Sequence, residues 1–382
     1  MIWLNSSLAF LLAACPCALV ISIPLAYSCC IGLNSKIGVL IKGSKYVERL
    51  SKTEIIYFDK TNTITDGKLQ ITNIKTSNGF DKQKLLDYVS SLENNSNHAI
   101  ANTLKNLSTS LLEVKKFKQI NGKGVCGFIN KQKVIVGNKN FMLENKINLD
   151  EHSTTNLGTN IYISLDKMLI GVITLNDTIK QEAKQAINNF RYLGVKHLVL
   201  LSGDDSKMVE FVANEIKLNP YYGELLPNQK VEKMKELNHG HQNIVFVGDG
   251  INDGPSLASA DVGVAMGIGT DIAVDTADVV LGNNNLNSLA KSIYLCKRTN
   301  RLVKFNLVLI LFVKFIVFSV ILICSSLALD FNTIWLGVAA DTGLTILCVL
   351  NAIRILKFKT EIKIKKQKHN DICTNKDCKI ST

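Results

Sequence analysis

The chain has 382 residues, a formal net charge of +12 and 47% hydrophobic residues, with a mean hydropathy of +0.16. That length accommodates two or three domains, and the apolar share is too high for a wholly soluble chain carrying 44 Lys and Arg. The positive charge collects beside apolar segments and forms no basic stripe interleaved with aromatics, which argues against a nucleic-acid partner.

Residues 2–33 are apolar and long enough to cross a bilayer. No basic run precedes them and no small-residue cleavage site follows, so they read as a membrane helix and not a signal peptide. Cys15-Pro16-Cys17 lies in mid-segment. Cysteines two apart on a regular helix point about 200° away from each other. They share one ion only if the helix unwinds, and Pro16 removes a backbone hydrogen bond there. Broken helices at mid-membrane recur as ion sites, and thiolates select soft or borderline metals. The plainer reading is two small packing residues beside a kink.

Residues 53–58 read as a buried strand ending at Asp59. From 68 to 171 the pattern changes. Short alternating runs at 70–76, 125–130, 133–138 and 161–166 predict antiparallel strands, with helices near 81–92 and 98–109. This stretch looks inserted, and the run 168–175 leads back to the first domain. Beyond it, helical patterns at 180–193, 205–217 and 227–238 alternate with apolar strands at 197–204 and 243–250. Such alternation predicts a parallel α/β sheet, whose ligands bind at the C-terminal strand ends. Asp59, Asp204 and Asp249 stand at those ends. One such Asp would be an ordinary turn former; three together define a candidate site.

Two further spans, 305–329 and 334–356, carry Lys314 and Asp341. An intramembrane carboxylate is costly and marks a functional position, with Lys314 as its natural partner. Basic residues follow the first span, precede the second and follow the third, which places those ends in the cytoplasm and the N-terminus outside. The ten cysteines suggest no disulfide framework, and thiols kept reduced suit a cytoplasmic region. In the basic tail, Cys373 and Cys378 near His369 could hold a metal, although incidental thiols in a solvated tail explain them more simply.

Four motifs occur in order: Asp59-Lys60-Thr61-Asn62-Thr63-Ile64-Thr65, Leu201-Ser202-Gly203-Asp204, Leu226-Pro227-Asn228-Gln229-Lys230, and Gly248-Asp249-Gly250-Ile251-Asn252-Asp253-Gly254-Pro255. Together with Cys-Pro-Cys, the set resembles the heavy-metal-transporting P-type ATPases, zinc/cadmium/lead branch. The resemblance implies an α/β haloacid-dehalogenase-like phosphorylation domain with an inserted α+β nucleotide-binding domain and about three transmembrane α-helices. The expected division is a transmembrane helix over 1–33, stalk and first part of the phosphorylation domain over 34–67, nucleotide-binding domain over 68–171, second part of the phosphorylation domain over 172–298, two transmembrane helices over 299–357 and a basic tail over 358–382.

The same resemblance implies roles. Asp59 attacks the γ-phosphorus of ATP and forms an acyl phosphate. Asp59, the Thr61 carbonyl and Asp249 hold Mg²⁺, Asp253 supports them, and Asn252 contacts the phosphate. Lys230 and Ser202 face the transferring oxygens, within motifs that include Lys60, Gly203 and Asp204. Glu93, His98, Gly122, Gly124, Gly137 and Asn138 bind the nucleotide. Cys15, Cys17 and Asp341, with Lys314 as counter-ion, take the transported Zn²⁺ or Cd²⁺, with Pb²⁺ a further candidate; a carboxylate suits these better than Cu⁺. Asn62 stands where the family has Gly, Ser202 where it has Thr, and Ala99 where it has Pro. The expected function is ATP-driven export of a divalent heavy metal by a multi-pass protein of the cell membrane. The alternatives are a copper-type pump portion and a non-catalytic metal-binding or regulatory relic. No Thr-Gly-Glu actuator loop is found, which implies a fragment, a decayed gene, or half of a split pump whose actuator domain and remaining helices come from a separate chain.

Overall fold

The fold is that of a computed structural model, described for all residues except 1, 78, 97–98, 121, 150–157, 239–242, 251–252, 268–274, 328–332 and 363–382. In chain order its first elements are α1 (Ile2–Ala14), α2 (Cys17–Lys36), β1 (Val39–Ile41), α3 (Ser44–Ser51), β2 (Ile55–Asp59), β3 (Thr65–Thr76), α4 (Lys82–Glu93), α5 (Ala99–Leu104), β4 (Lys115–Ile120), β5 (Gly124–Ile129), β6 (Gln132–Gly137), α6 (Lys139–Glu144), β7 (Thr159–Leu165) and β8 (Met168–Ile179). There follow α7 (Ala183–Tyr192), β9 (His197–Leu201), α8 (Ser206–Glu215), β10 (Tyr221–Tyr222), α9 (Pro227–Leu237), β11 (Ile244–Gly248), α10 (Gly254–Ser259), β12 (Val262–Met266), β13 (Val279–Leu281), α11 (Leu286–Ser326) and α12 (Thr333–Ile353).

The first sheet has the order β1-β13-β12-β11-β2-β9-β10 and is parallel except where β1 meets β13. Its inner strands are apolar at successive positions because both faces are covered. Ile56, Phe58, Leu200 and Val247 pack with Ile187 and Phe190 of α7 and Leu289 and Ile293 of α11. Ile55, Tyr57, Val199 and Phe246 pack on the other side with Met234 of α9. β2 lies between β11 and β9, with Asp59 level with Leu201 and Phe58 level with Val247. The three motif-bearing strand ends are therefore neighbours at one edge.

The second sheet, β3-β8-β7-β6-β5-β4, is antiparallel throughout. α4 packs Leu85, Val89 and Leu92 on one face, and α6 packs Phe141 and Met142 on the other. β3 and β8 stay paired from Thr65 opposite Ile179 outward, so this sheet overruns the expected 68–171 span at both ends. The run 168–175, read as a return path, is a β8 segment within the sheet. It pairs on both sides, which satisfies its backbone groups.

Three helical segments are long and apolar enough to cross a membrane: Cys17–Lys36, Leu286–Ser326 and Ile334–Lys357. The segment expected as one helix over 2–33 is two helices broken at Cys15-Pro16. α11 is continuous over 41 residues, about 60 Å at the α-helical rise. The boundary expected at 298/299 falls inside it. Its first turns bury Leu286, Leu289, Ala290 and Ile293 against the parallel sheet, while its last turns are apolar and largely exposed.

Candidate active site and metal centre

Asp59 is buried at the end of β2. Lys230 Nζ lies 2.6 Å from Asp59 Oδ1 and 2.7 Å from Asp253 Oδ1. The lysine is placed by the start of α9, where Pro227 occupies the first turn and the Leu226 N–H donates to Gln229 Oε1 at 2.8 Å. Burial pushes the Asp59 carboxyl up to about 7, Asp253 adds to the rise, and Lys230 opposes it. Burial also raises Asp253. Burial works against the Lys230 ammonium too, but the two carboxylates outweigh it and raise its pKa. Asp249 contributes further negative charge to Asp59. Three carboxylates around one ammonium leave an excess of negative charge, which fits a divalent cation such as Mg²⁺.

The loop after Asp59 is held from several sides. Lys60 Nζ pairs with Asp204 Oδ2 at 2.7 Å. The same oxygen accepts from Ser202 Oγ at 2.9 Å and Thr61 Oγ1 at 3.4 Å. Burial would raise the Asp204 carboxyl, but Lys60 and the hydroxyl donors bring it below the usual range. Asn62 adopts φ +59° and its amide donates to Asp249 Oδ2 at 3.1 Å. Gly67 also has positive φ, and a Cβ there would come within 1.9 Å of Asn62 Oδ1. Two residues that sequence reasoning missed complete the support. Buried Lys180 donates to the Asn62 carbonyl at 2.8 Å and to Asn284 Oδ1 at 3.0 Å. The Thr65 hydroxyl lies within hydrogen-bonding reach of both Asp177 Oδ2 and the Lys60 carbonyl, the latter at 3.0 Å, and its one proton serves one of them at a time. Their only signal was an acid and a base at the end of an apolar run returning to the first sheet. Asn252 lies outside the described residues.

In the second sheet, Glu93, Ser96, Gly122, Gly124, Gly137 and Asn138 line a cavity of about 240 Å³. A Cβ on Gly124 would meet the Val136 carbonyl at 2.2 Å, and one on Gly137 the Lys123 carbonyl at 2.5 Å. The two glycines thus let β5 and β6 close against each other and form the cavity floor. Asn138 caps α6 by accepting from the Phe141 N–H at 2.9 Å, and its amide donates to the Gly122 carbonyl at 2.8 Å. Burial pushes Glu93 up to about 7, against a hydrogen bond from Ser96. His98 lies outside the described residues.

Within the membrane helices, Cys15, Cys17 and Asp341 bring their ligand atoms within 4.8 Å of one another. The break at Pro16 folds both sulfurs to one side, where they are linked as a disulfide. With one residue between them, the unwound turn leaves the sulfurs adjacent. The other described cysteines are free. Lys314 Nζ donates to the Ala13 carbonyl at 2.9 Å, to the Cys15 carbonyl, and to Asp341 Oδ1 at 3.2 Å. It therefore serves the carbonyls released by the helix break as well as the carboxylate. Cys373, Cys378 and His369 lie outside the described residues.

With this geometry in view, the haloacid dehalogenase-like hydrolase family matches residues 53–261, more than half of the chain. The chain belongs to that family. This haloacid dehalogenase-like chain is 38% identical to a cadmium, zinc and cobalt-transporting ATPase of Bacillus subtilis (strain 168), over 94% of this chain and 51% of the relative. It is 38% identical to a zinc-transporting ATPase of Synechocystis sp., over 93% of this chain and 49% of the relative. A crystal structure of a zinc-transporting PIB-type ATPase in its E2.Pi state superposes with TM-score 0.80 at 32% identity, covering 90% of this chain and 56% of that one. The catalytic domain of a CPx-ATPase, CopB-B, superposes with TM-score 0.56 at 29% identity, covering 68% of this chain and 96% of that domain. The chain spans about half the length of the curated relatives it matches. Its relatives within the family are thus the metal-transporting P-type ATPases, and it aligns with their catalytic half.

Proposed function

We propose that the chain is the catalytic portion of a pump that exports Zn²⁺ or Cd²⁺ across the cell membrane through an aspartyl phosphate, with both sheets in the cytoplasm. The first sheet is the phosphorylation domain and the second the nucleotide-binding domain, with the chain passing between them through β3 and β8. The observation that carries this reading is the buried Asp59–Lys230–Asp253 cluster at the strand ends.

An Asp59 carboxylate oxygen attacks the γ-phosphorus of ATP. A phosphorus–oxygen bond forms, the bond to the β-phosphate oxygen breaks, and ADP leaves with the electron pair. Lys230 keeps Asp59 aimed outward and then donates to the transferring oxygens; Ser202 adds a hydroxyl. Asp59, the Thr61 carbonyl and Asp249 would hold Mg²⁺, which would supply the charge that lets carboxylate and phosphate approach. The Asp204–Lys60 pair and Lys180 fix the loop that presents the nucleophile. Gly122, Gly124, Gly137 and Asn138 bring backbone close to the nucleotide base, beside Glu93 and His98. Hydrolysis of the acyl phosphate is assigned to an actuator loop supplied from elsewhere in a longer polypeptide or by a separate chain.

The cargo site is Cys15, Cys17 and Asp341. Two thiolates and a carboxylate against the Lys314 ammonium leave two negative charges, which matches a divalent ion and overcharges a site for Cu⁺. Equilibrium binding of Zn²⁺ to the reduced chain tests this. One tight site is expected, lost on oxidation of the Cys15–Cys17 pair and in C15S/C17S, and weakened at least tenfold in D341N. Tight Zn²⁺ binding that survives C15S/C17S would sink the assignment.

A further inference from the structure

A second polar cavity, of about 970 Å³, lies where α7, α11 and the segment after α12 meet. Six cations line it: Arg191, Lys297, Arg298, Arg301, Lys357 and Lys359, against the single acid Glu361. Among the described residues none of the six forms an ion pair. Three of them are instead anchored in other ways. Arg191 donates to the Lys217 carbonyl and Lys297 to the Leu193 carbonyl. The Arg298 guanidinium stacks 4.1 Å from the Phe358 ring centroid and 5.6 Å from that of Tyr294. Arg301, Lys357 and Lys359 are exposed at the rim.

Confining six like charges is unfavourable unless an anion joins them. The rings and carbonyls hold the heads of Arg191, Lys297 and Arg298 in place without neutralising them, which preorganises the inner part of the cavity for a ligand. Guanidinium groups match the tetrahedral oxygens of a phosphate with paired donors. The location narrows the source. On the orientation proposed above, the cavity sits at the cytoplasmic edge of the apolar stretch of α11 and just past the end of α12, the depth of anionic lipid headgroups, where basic pockets beside membrane helices bind such groups. We propose that this cavity is a binding site for a phosphate-bearing anion, filled by the headgroup of an anionic phospholipid. Because Arg191 belongs to α7 and Arg298 to α11, the ligand would join the phosphorylation domain to the membrane helices.

The test uses the purified full chain in detergent, native mass spectrometry and three probes: phosphatidylglycerol, phosphatidylcholine and glycerol 3-phosphate. Phosphatidylglycerol is expected to bind at least tenfold tighter than phosphatidylcholine. R298Q/R301Q should abolish that preference, while K82Q/K84Q, which removes two exposed charges from α4, should leave it intact. R301Q, at an exposed position, serves alone if the double variant unfolds, and should weaken phosphatidylglycerol severalfold. Glycerol 3-phosphate displacing the lipid supports a site that reads the phosphate alone; failure to displace it supports a site that also needs the acyl chains. Equal binding of the two lipids, or wild-type affinity in R298Q/R301Q and R301Q, overturns the proposal. None of these readouts needs ATP or Zn²⁺, so failure of the pump reading would leave the result interpretable.

Discussion

Asn62 shows what single residues contribute to the site. It occupies a left-handed conformation that costs other L-residues roughly 1–2 kcal/mol, and its amide reaches Asp249. N62G keeps the backbone and loses only the amide; N62A loses both. The initial rate of phosphoenzyme formation should therefore fall below wild type in N62G and further in N62A; equal rates in the two variants would show that the left-handed backbone does not matter, and a wild-type rate in N62G would remove the Asn62 amide from the support of Asp249. Glu93 makes a different prediction. Its folded pKa is raised to about 7, above an unfolded value of about 4.3. The folded state thus holds the proton more tightly. The stability this contributes is complete below about 4.3 and is lost as pH rises through about 7. The urea midpoint of the second sheet, followed by pulse proteolysis, should fall between pH 5 and pH 8 in the wild type and change little in E93Q. A parallel fall in both would place the pH dependence elsewhere. Asp59, Asp204 and Asp249 were legible in the sequence as neighbours because each follows an apolar strand. Asp177 and Lys180 were not, because their role arises from β8 pairing with β3, a contact between positions more than 100 residues apart.

At the scale of elements, the helix break at Pro16 was legible, since a residue without an N–H cannot continue the hydrogen-bond ladder. What could not be read was the fate of the released carbonyls, which depends on Lys314 from a helix some 300 residues away. P16A should rejoin α1 and α2, rotate the sulfurs apart and weaken Zn²⁺ binding by the reduced chain at least tenfold; unchanged affinity would mean that the break is irrelevant to the metal. The extent of α11 was equally hidden. Its first turns are amphipathic and its last turns mostly apolar, so the sequence divides it at 298/299, yet nothing in the residues between them stops a helix. The second sheet's edges were blurred for a related reason: β3 and β8 pass from one sheet's neighbourhood to the other's without a turn.

Across the whole molecule, α11 is one continuous helix that runs from the parallel sheet into the apolar helices. Its buried first turns pack against the parallel sheet, and Lys314, in the middle of its apolar part, contacts both Asp341 and the broken helix. Inserting Gly-Gly after Lys304 should leave ATP labelling of the chain intact and abolish its stimulation by Zn²⁺; retained stimulation would show that α11 does not carry the coupling. The most direct test of the account is labelling of the reduced chain with ATP radioactive at the γ-phosphate, with and without Zn²⁺, alongside D59N. A hydroxylamine-sensitive label that Zn²⁺ increases and D59N lacks is the expected result. No label in the wild type, with ATP binding intact, or a label that persists in D59N, would contradict Asp59 as the phosphoryl acceptor.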